Sequence, residues 1–151
     1  MRTFHKVDPR IWGKRPFKKM SVDGKLAMLY FLTSAHQNSS GYHHLPDGYA
    51  SHDLGMDVEQ YVKARREVAD SGMVLFDEET HDLYVVGWFE ENPITNEKHY
   101  QGCLRVIQGV DSETVGDAAM EELEKSYEKQ QHATSEKKKR AQNNSGYGEP
   151  F

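Results

Sequence analysis

The chain has 151 residues, of which 36% are hydrophobic and 28% are charged, and its formal net charge is -5. Its mean hydropathy of -0.84 marks a very polar protein, yet 6 Phe, 8 Tyr and 2 Trp are enough for one modest core. No apolar run approaches the roughly 20 residues needed to cross a bilayer, and the N-terminus lacks the apolar core of a signal peptide. Because Cys103 is the only cysteine, no intrachain disulfide can form, and we expect a soluble cytoplasmic protein.

Charge is distributed unevenly along the chain. Residues 1–20 hold 7 Lys and Arg against a single acid, whereas residues 111–132 hold 7 acids against 2 lysines. A basic arm can lie on phosphate groups while an acidic helix faces elsewhere. We therefore predict a basic N-terminal arm over residues 1–20 and an acidic C-terminal helix over residues 111–132. The arm cations expected at phosphate are Lys14, Arg15, Lys18 and Lys19.

The arm is predicted to begin with a short turn that apolar residues tie to the core. Asp8 and Pro9 form a start signal, because proline suits the first position of a helical turn. The candidate anchors are Ile11, Trp12 and Phe17.

A helix over residues 22–35, capped by Ser21, is expected to form the centre of the core. It is apolar around most of its girth. The stripe predicted to face inward consists of Leu26, Leu29, Tyr30 and Thr33, widened by Met28, Phe31 and Leu32.

Two further helices are predicted on either side of a tight turn. The first runs over about residues 47–54 and ends at Gly55. Asp57 then caps a third helix over about residues 58–71, and Gln60, three residues on, completes a pattern like a capping box. The inward positions of this third helix are Val58, Tyr61, Val62, Arg65 by its stem, Val68 and Ala69.

The hydrophobic period then changes to that of strands. The runs Met73–Phe76 and Leu83–Val86 flank a polar turn, residues 77–82, and so predict a hairpin directly after the third helix. A short strand is expected at residues 42–45. Residues 96–109 favour one more helix.

This order of helix, strand, helix, turn, helix and hairpin predicts an α+β, mostly α protein built as a winged helix-turn-helix with additional C-terminal helices. We place the winged-helix domain at residues 21–110 and the acidic helix at residues 111–132. From residue 133 apolar content collapses, and a disordered polar tail over residues 133–151 is expected.

In a helix-turn-helix the second helix of the pair enters the major groove of DNA. The third predicted helix would therefore present Gln60, Lys63 and Arg66 to duplex DNA. Glutamine pairs with adenine and arginine with guanine, while Lys63 suits either a base or a phosphate.

A second interpretation stands beside this one, because winged helices also serve as protein-protein modules. Acids lie close to the three polar side chains, and Glu59 and Lys63 have the spacing of a pair that merely stabilises a helix. The hairpin turn carries Asp77, Glu78 and Glu79 and no cation, so a wing that grips phosphate is not expected. An acidic surface of this kind would instead bind a replication or host protein.

Several short motifs follow one another in a recognisable order over residues 4–110. They are Lys6 to Trp12, Ser21 to Ser34 with Asp23-Gly24-Lys25-Leu26 and Tyr30 to Ser34, Leu45 to Tyr49, Asp53 to Met56, Ser71 to Val74, and Trp88-Phe89 through Asn92-Pro93. With this series the chain resembles the N-terminal winged-helix domain of bacteriophage and prophage replication initiation proteins, the replisome organisers.

The resemblance implies a module that binds origin DNA, or self-assembles to recruit a helicase, in the cytoplasm of a host cell. Members of the family usually continue into a C-terminal helicase-binding or DNA-binding domain, whereas a short polar tail follows residue 132 here. We therefore expect DNA binding or a protein contact rather than helicase loading. Duplex DNA is the expected partner. Single-stranded DNA, a replisome or host protein, and a second copy of the chain are the alternatives.

No pattern in the sequence predicts catalysis or a cofactor. Of the 8 His, His43 and His44 are adjacent and would point to opposite faces of a strand. Neither C-x-x-C nor H-E-x-x-H occurs, so no metal is expected. Cys103 lies among apolar residues and is expected to be a core thiol. The basic run over residues 137–140 is expected to be solvated, with at most a phosphate contact.

Overall fold

The computed structural model describes residues 3–145, which form a mostly helical α+β fold with a small three-stranded antiparallel sheet. This confirms the predicted fold class at that level. The elements in chain order are a 3-10 turn at Pro9–Gly13, α1 (Arg15–Lys18), α2 (Val22–Thr33), β1 (Tyr42–His44), α3 (Asp47–Leu54), α4 (Val58–Asp70), β2 (Val74–Asp77), β3 (Asp82–Val85), α5 (Trp88–Glu91), α6 (Glu97–Gln108) and α7 (Glu113–Ser145).

The sheet has the order β1-β3-β2, so the hairpin β2–β3 is completed by a strand from earlier in the chain. Tyr42 lies opposite Tyr84 in one ladder, and Val74 lies opposite Val85 in the other. All four residues of the central strand β3 are buried. The strands predicted at residues 42–45, 73–76 and 83–86 are thus confirmed to within one residue at each end.

Asp82 joins the sheet to the start of α7. Its carboxylate is buried and accepts hydrogen bonds from the Tyr42 hydroxyl at 2.7 Å and from the Ser112 backbone N–H at 2.9 Å. Burial raises the pKa of Asp82, but these hydrogen bonds outweigh it and hold the pKa below its ordinary value. Asp82 therefore stays ionised and fixes α7 against β1 and β3.

The packing of α2 against α4 is the most extensive contact between two helices in the described chain. Ser21 caps α2 as predicted, its hydroxyl accepting from the Gly24 N–H at 3.1 Å. The Glu67 carboxylate accepts from both the backbone N–H and the hydroxyl of Ser21. Gly24 leaves room for it, since a Cβ there would lie 2.9 Å from Glu67 Cδ. Glu67 thus links α4 to the start of α2.

The buried face of α2 differs from the predicted one. Gly24, Ala27, Met28 and Phe31 are buried, whereas Leu26 is 44% exposed. The prediction holds at Met28 and Phe31 and is wrong at Leu26 and Thr33, because α2 carries apolar residues on all sides and its own pattern does not select the face that meets α4. Val58 was also placed inward but is exposed at the first turn of α4.

The turn between α3 and α4 follows the prediction closely. Gly55 ends α3 in the left-handed region, with φ +68°, a conformation that glycine adopts at little cost. Asp57 caps α4 by accepting from the Gln60 N–H at 2.7 Å. The reciprocal half of the capping box is absent, because the Gln60 side chain donates instead to Asp23 Oδ2 at 3.0 Å.

Helix α7 extends well beyond its predicted end near residue 132. It continues to Ser145, so residues 133–145 are helical rather than disordered. Lys, Arg, Ala, Glu and Gln, which favour helices, make up 8 of these 13 residues, and the segment has no glycine or proline before Gly146. The remainder of the predicted tail, residues 146–151, lies outside the described residues. Within residues 3–145 we find no helix with the length and apolar character required to span a membrane.

We predict that Gly41→Ala strongly destabilises the fold. Gly41 has φ +73°, and a Cβ there would lie 2.3 Å from Trp88 Cγ. Left-handed strain and overpacking together should lower the free energy of unfolding by roughly 3 kcal/mol. Urea denaturation measures the change. The matched control is Gly48→Ala in α3, where an added Cβ meets nothing within 4 Å and stability should stay level or rise slightly. Equal stability of the two variants would contradict the packing around Trp88.

Candidate nucleic-acid interface

The part of the basic arm from Asp8 to Phe17 is folded and packs against the domain. Asp8 caps the 3-10 turn, accepting from the Arg10 N–H at 2.9 Å, and Pro9 occupies its first position. Ile11 and Phe17 are 4% and 1% exposed, as expected of anchors. The arm is therefore held against the domain at two points, and the polar side chains between them have defined positions.

Two of the arm cations are engaged by carboxylates. The Arg10 guanidinium pairs with Asp8 and lies 3.6 Å from Glu91, and Lys14 Nζ lies 4.0 Å from the same glutamate. Hydrogen bonds from Arg10 hold the pKa of Asp8 far below its ordinary value, so this pair stays ionised. Neither Arg10 nor Lys14 is a fully available cation.

The remaining three predicted cations of the arm are available. Arg15, Lys18 and Lys19 are exposed on and just after α1, and none has a carboxylate within 4 Å among residues 3–145. The structure brings these three predicted site residues together on a single turn of helix. Lys14 precedes them directly.

The polar face of α4 is arranged differently. Gln60, Lys63 and Arg66 are exposed as predicted. Gln60 is bonded to Asp23, and the Arg66 guanidinium donates to both oxygens of Glu78 at 2.7 and 3.2 Å. Within the described chain only Lys63 of the three has no hydrogen bond or ion pair.

Carboxylates dominate the surface around these α4 side chains. A shallow groove runs along α4 beside the first turn of α2, and Lys63 and Arg66 are its only cations. The acids that line it are Asp23, Asp57, Glu59, Glu67 and Asp70. This face of α4 is therefore negative on balance, which opposes close approach of phosphate.

A buried arginine accounts for one acid of the hairpin turn, Glu78. Arg65 is 3% exposed, and its guanidinium lies 3.9 Å from the centre of the Phe76 ring. It lies 3.3 Å from Asp47 Oδ1 and 3.3 Å from Glu78 Oε1. The sequence had placed only the stem of Arg65 inside. The guanidinium follows the stem because carboxylates from α3 and from the turn neutralise it there.

The arm and α4 are neighbours on the surface. Arg15 and Lys19 border the same shallow depression as Glu67 and Asp70 at the end of α4. Positive and negative surfaces thus meet along a line between α1 and the last turn of α4. A polyanion that binds the arm would be guided along α1 and held away from the acids of α4.

Trp12 is the functional candidate that the sequence interpretation missed. It was expected to be an anchor, but its side chain is 58% exposed, and this expectation was wrong. The buried residues on either side, Ile11 and Phe17, occupy the available space beneath the arm. The feature of the sequence that could have indicated a functional role for Trp12 is its position among the cations of the arm.

Histidine, cysteine and carboxylate side chains are the other candidates for a functional site within residues 3–145. Among residues 3–145, no group of three His, Cys, Asp or Glu side chains is arranged to hold a metal ion. His43 is buried in β1, and burial lowers its pKa to about 3, so it is a neutral core side chain. Comparison of the chain with protein-family models, with curated proteins and with solved structures gives no match.

The ion pairs that Glu78 of the hairpin turn makes with arginines of α4 should make the stability of the fold depend on pH. Hydrogen bonds from Arg66 and Arg65 lower the pKa of Glu78 from 4.5 to about 2. A carboxyl group whose pKa is depressed on folding stabilises the protein above its unfolded pKa, and this contribution is lost as pH falls toward the folded pKa. The wild-type protein should therefore be more stable than Glu78→Gln near neutral pH. This difference in stability should disappear as the pH falls from 4.5 to about 2.

Thermal unfolding at a series of pH values measures this gap. Glu79→Gln is the control, because the Glu79 carboxylate makes no ion pair within residues 3–145, so its difference from wild type should not narrow in the same way. A gap for Glu78→Gln that stays constant down to pH 2 would show that Glu78 is not paired in solution.

Proposed function

We propose that the chain is a winged-helix DNA-binding module of phage-type replication initiation, and that its basic arm makes the first contact with DNA. The observation that carries this proposal is the exposed, unpaired cluster Arg15, Lys18 and Lys19 on one helical turn. The backbone that carries the cluster is already helical, so binding to phosphate has to order only the side chains. The part of the proposal that concerns replication rests on the resemblance of the sequence to phage replication initiation proteins.

The order of the elements supports the winged-helix part of the proposal. A short turn at Gly55 joins α3 to α4, and the hairpin β2–β3 follows α4 directly, with β1 paired to β3. In this arrangement α4 is the helix that would face the major groove. The hairpin would be the wing, and its acidic turn would point away from phosphate.

The role of α4 in this proposal is secondary to that of the arm. Lys63 can reach a phosphate or a base edge without losing a partner. Arg66 must first exchange Glu78 for DNA, and Gln60 must exchange Asp23. An exposed ion pair contributes at most about 1 kcal/mol, so these exchanges are feasible, but the nearby acids oppose them. We therefore propose that base-specific contacts are weak and that phosphate contacts dominate affinity.

The arm is tested by Lys18→Gln/Lys19→Gln, measured by fluorescence anisotropy with a labelled random duplex at several salt concentrations. Loss of two phosphate contacts should reduce the slope of log affinity against log salt by roughly 1.8, and affinity at low salt should fall by about tenfold or more. The control is Lys98→Gln/Arg105→Gln, two exposed cations of α6 that remove the same charge elsewhere.

An equal loss in the arm and control variants would mean that net charge, not the arm, governs binding. The variants Lys63→Ala and Arg66→Ala test whether α4 contacts DNA. These variants should alter the preference among duplex sequences more than the salt slope, if α4 contacts bases.

A second candidate function is a protein-protein module that binds a replication or host factor through its acidic surface. The observation that favours it is the set of carboxylates along α4 and in the hairpin turn. Absence of duplex and single-stranded DNA binding by the wild-type chain at low salt would favour this candidate. A charge reversal that probes the surface belongs at Glu79, since Glu78 is bound to Arg65 and Arg66 and its reversal would disturb the fold.

A further inference from the structure

The turn that carries Trp12 holds the indole ring in an exposed position. Asp8 caps this turn, and its carboxylate also accepts a hydrogen bond from the Arg10 side chain. Ile11 anchors it from beneath at 4% exposure, so Trp12, one residue on, cannot turn inward. The other tryptophan, Trp88, is only 4% exposed. Trp12 is therefore an exposed aromatic side chain on a rigid element.

Phe17 fixes the orientation of the Trp12 ring. The two ring centroids lie 5.3 Å apart, and the ring planes meet at 79°, an edge-to-face arrangement. Since Phe17 is itself 1% exposed, it supports one side of the indole without covering it. A flat ligand that stacked on Trp12 would meet a ring that already packs against Phe17.

The cations of the arm follow Trp12 closely in the sequence. Lys14 follows Trp12 by two residues, and α1 then presents Arg15 and Lys18 as exposed, unpaired cations. An aromatic side chain flanked by cations is the arrangement with which proteins bind single-stranded nucleic acid, where the ring stacks on a base and the cations hold the backbone. In a duplex the faces of the bases are already stacked on each other, and exposing one costs a few kcal/mol.

We propose that Trp12 is a base-stacking side chain for single-stranded nucleic acid, with Arg15, Lys18 and Lys19 holding the phosphates beside it. This inference rests on the proposed function, since it uses the same arm. It adds a preference for an unpaired strand and names the side chain that creates it.

A second copy of the chain is a poorer occupant for the same surface. In a symmetric dimer the same patch meets itself, so Arg15 and Lys18 of each copy would approach the identical cations of the other. Like charges brought together in this way repel. A polyanion with flat, apolar base faces matches both the ring and the charge around it.

The test is a titration of the full chain with an oligothymidine and with a duplex of the same length. We expect the oligothymidine to quench tryptophan emission in wild type, and we expect this quenching to be absent in Trp12→Phe, where only the buried Trp88 emits. Trp12→Ala should weaken oligothymidine binding about five- to a hundredfold and change duplex binding less than twofold. Tyr49→Ala, which removes a 60% exposed aromatic side chain from α3, should change neither.

The outcomes separate this inference from the function on which it rests. If the wild-type chain binds neither nucleic acid, both are overturned. If it binds both, with unchanged emission and with equal affinity in Trp12→Ala, the stacking role is overturned while the DNA-binding module stands. Equal losses of single-strand and duplex affinity in Trp12→Ala would also overturn the single-strand preference. Because Trp12 is exposed, the variants should fold, and circular dichroism verifies this.

Discussion

The buried guanidinium of Arg65 is the constraint on which the arrangement of this domain depends. A charged group out of contact with water must be paired, because leaving it unpaired costs several kcal/mol. Asp47 from α3, Glu78 from the hairpin turn and the ring of Phe76 surround the Arg65 side chain. One residue of α4 thus fixes the helix before it and the hairpin after it.

The same constraint decides which cations of the protein remain available. Once Glu78 is drawn to Arg65, it also lies within reach of Arg66, which it binds through both oxygens. The acids of the hairpin turn and of the groove along α4 thus leave little positive potential at that helix. Lys63 is the free cation of α4, whereas three free cations lie together on the arm, at Arg15, Lys18 and Lys19. A protein of net charge -5 can therefore still present a compact positive surface.

Much of the fold was predictable because local signals agreed with the tertiary structure. The Ser21 and Asp57 caps, the glycine at position 55 and the change of period at the hairpin each depend on neighbouring residues alone. The inward face of α2 was not predictable in this way, since apolar side chains surround the helix and the partner α4 selects among them. The continuation of α7 to Ser145 was missed because a polar composition that suits a solvated helix also suits a disordered tail.

The candidate site was predictable in composition but not in arrangement. The sequence placed Gln60, Lys63 and Arg66 on an exposed face, and the structure agrees, but their partners Asp23 and Glu78 come from distant segments. Such pairings cannot be predicted from spacing within one helix. Trp12 illustrates the same limit, because its exposure depends on how much space Ile11 and Phe17 occupy beneath the arm.

The central claim is that nucleic acid meets the arm first and leaves the hairpin turn untouched. Mapping of backbone amide shifts by NMR, during titration of the labelled chain with DNA, tests it most directly. We expect the largest shifts within residues 10–19, smaller shifts on the exposed face of α4, and none at residues 78–81. Shifts concentrated at the hairpin turn or along α7, with the arm unchanged, would contradict it.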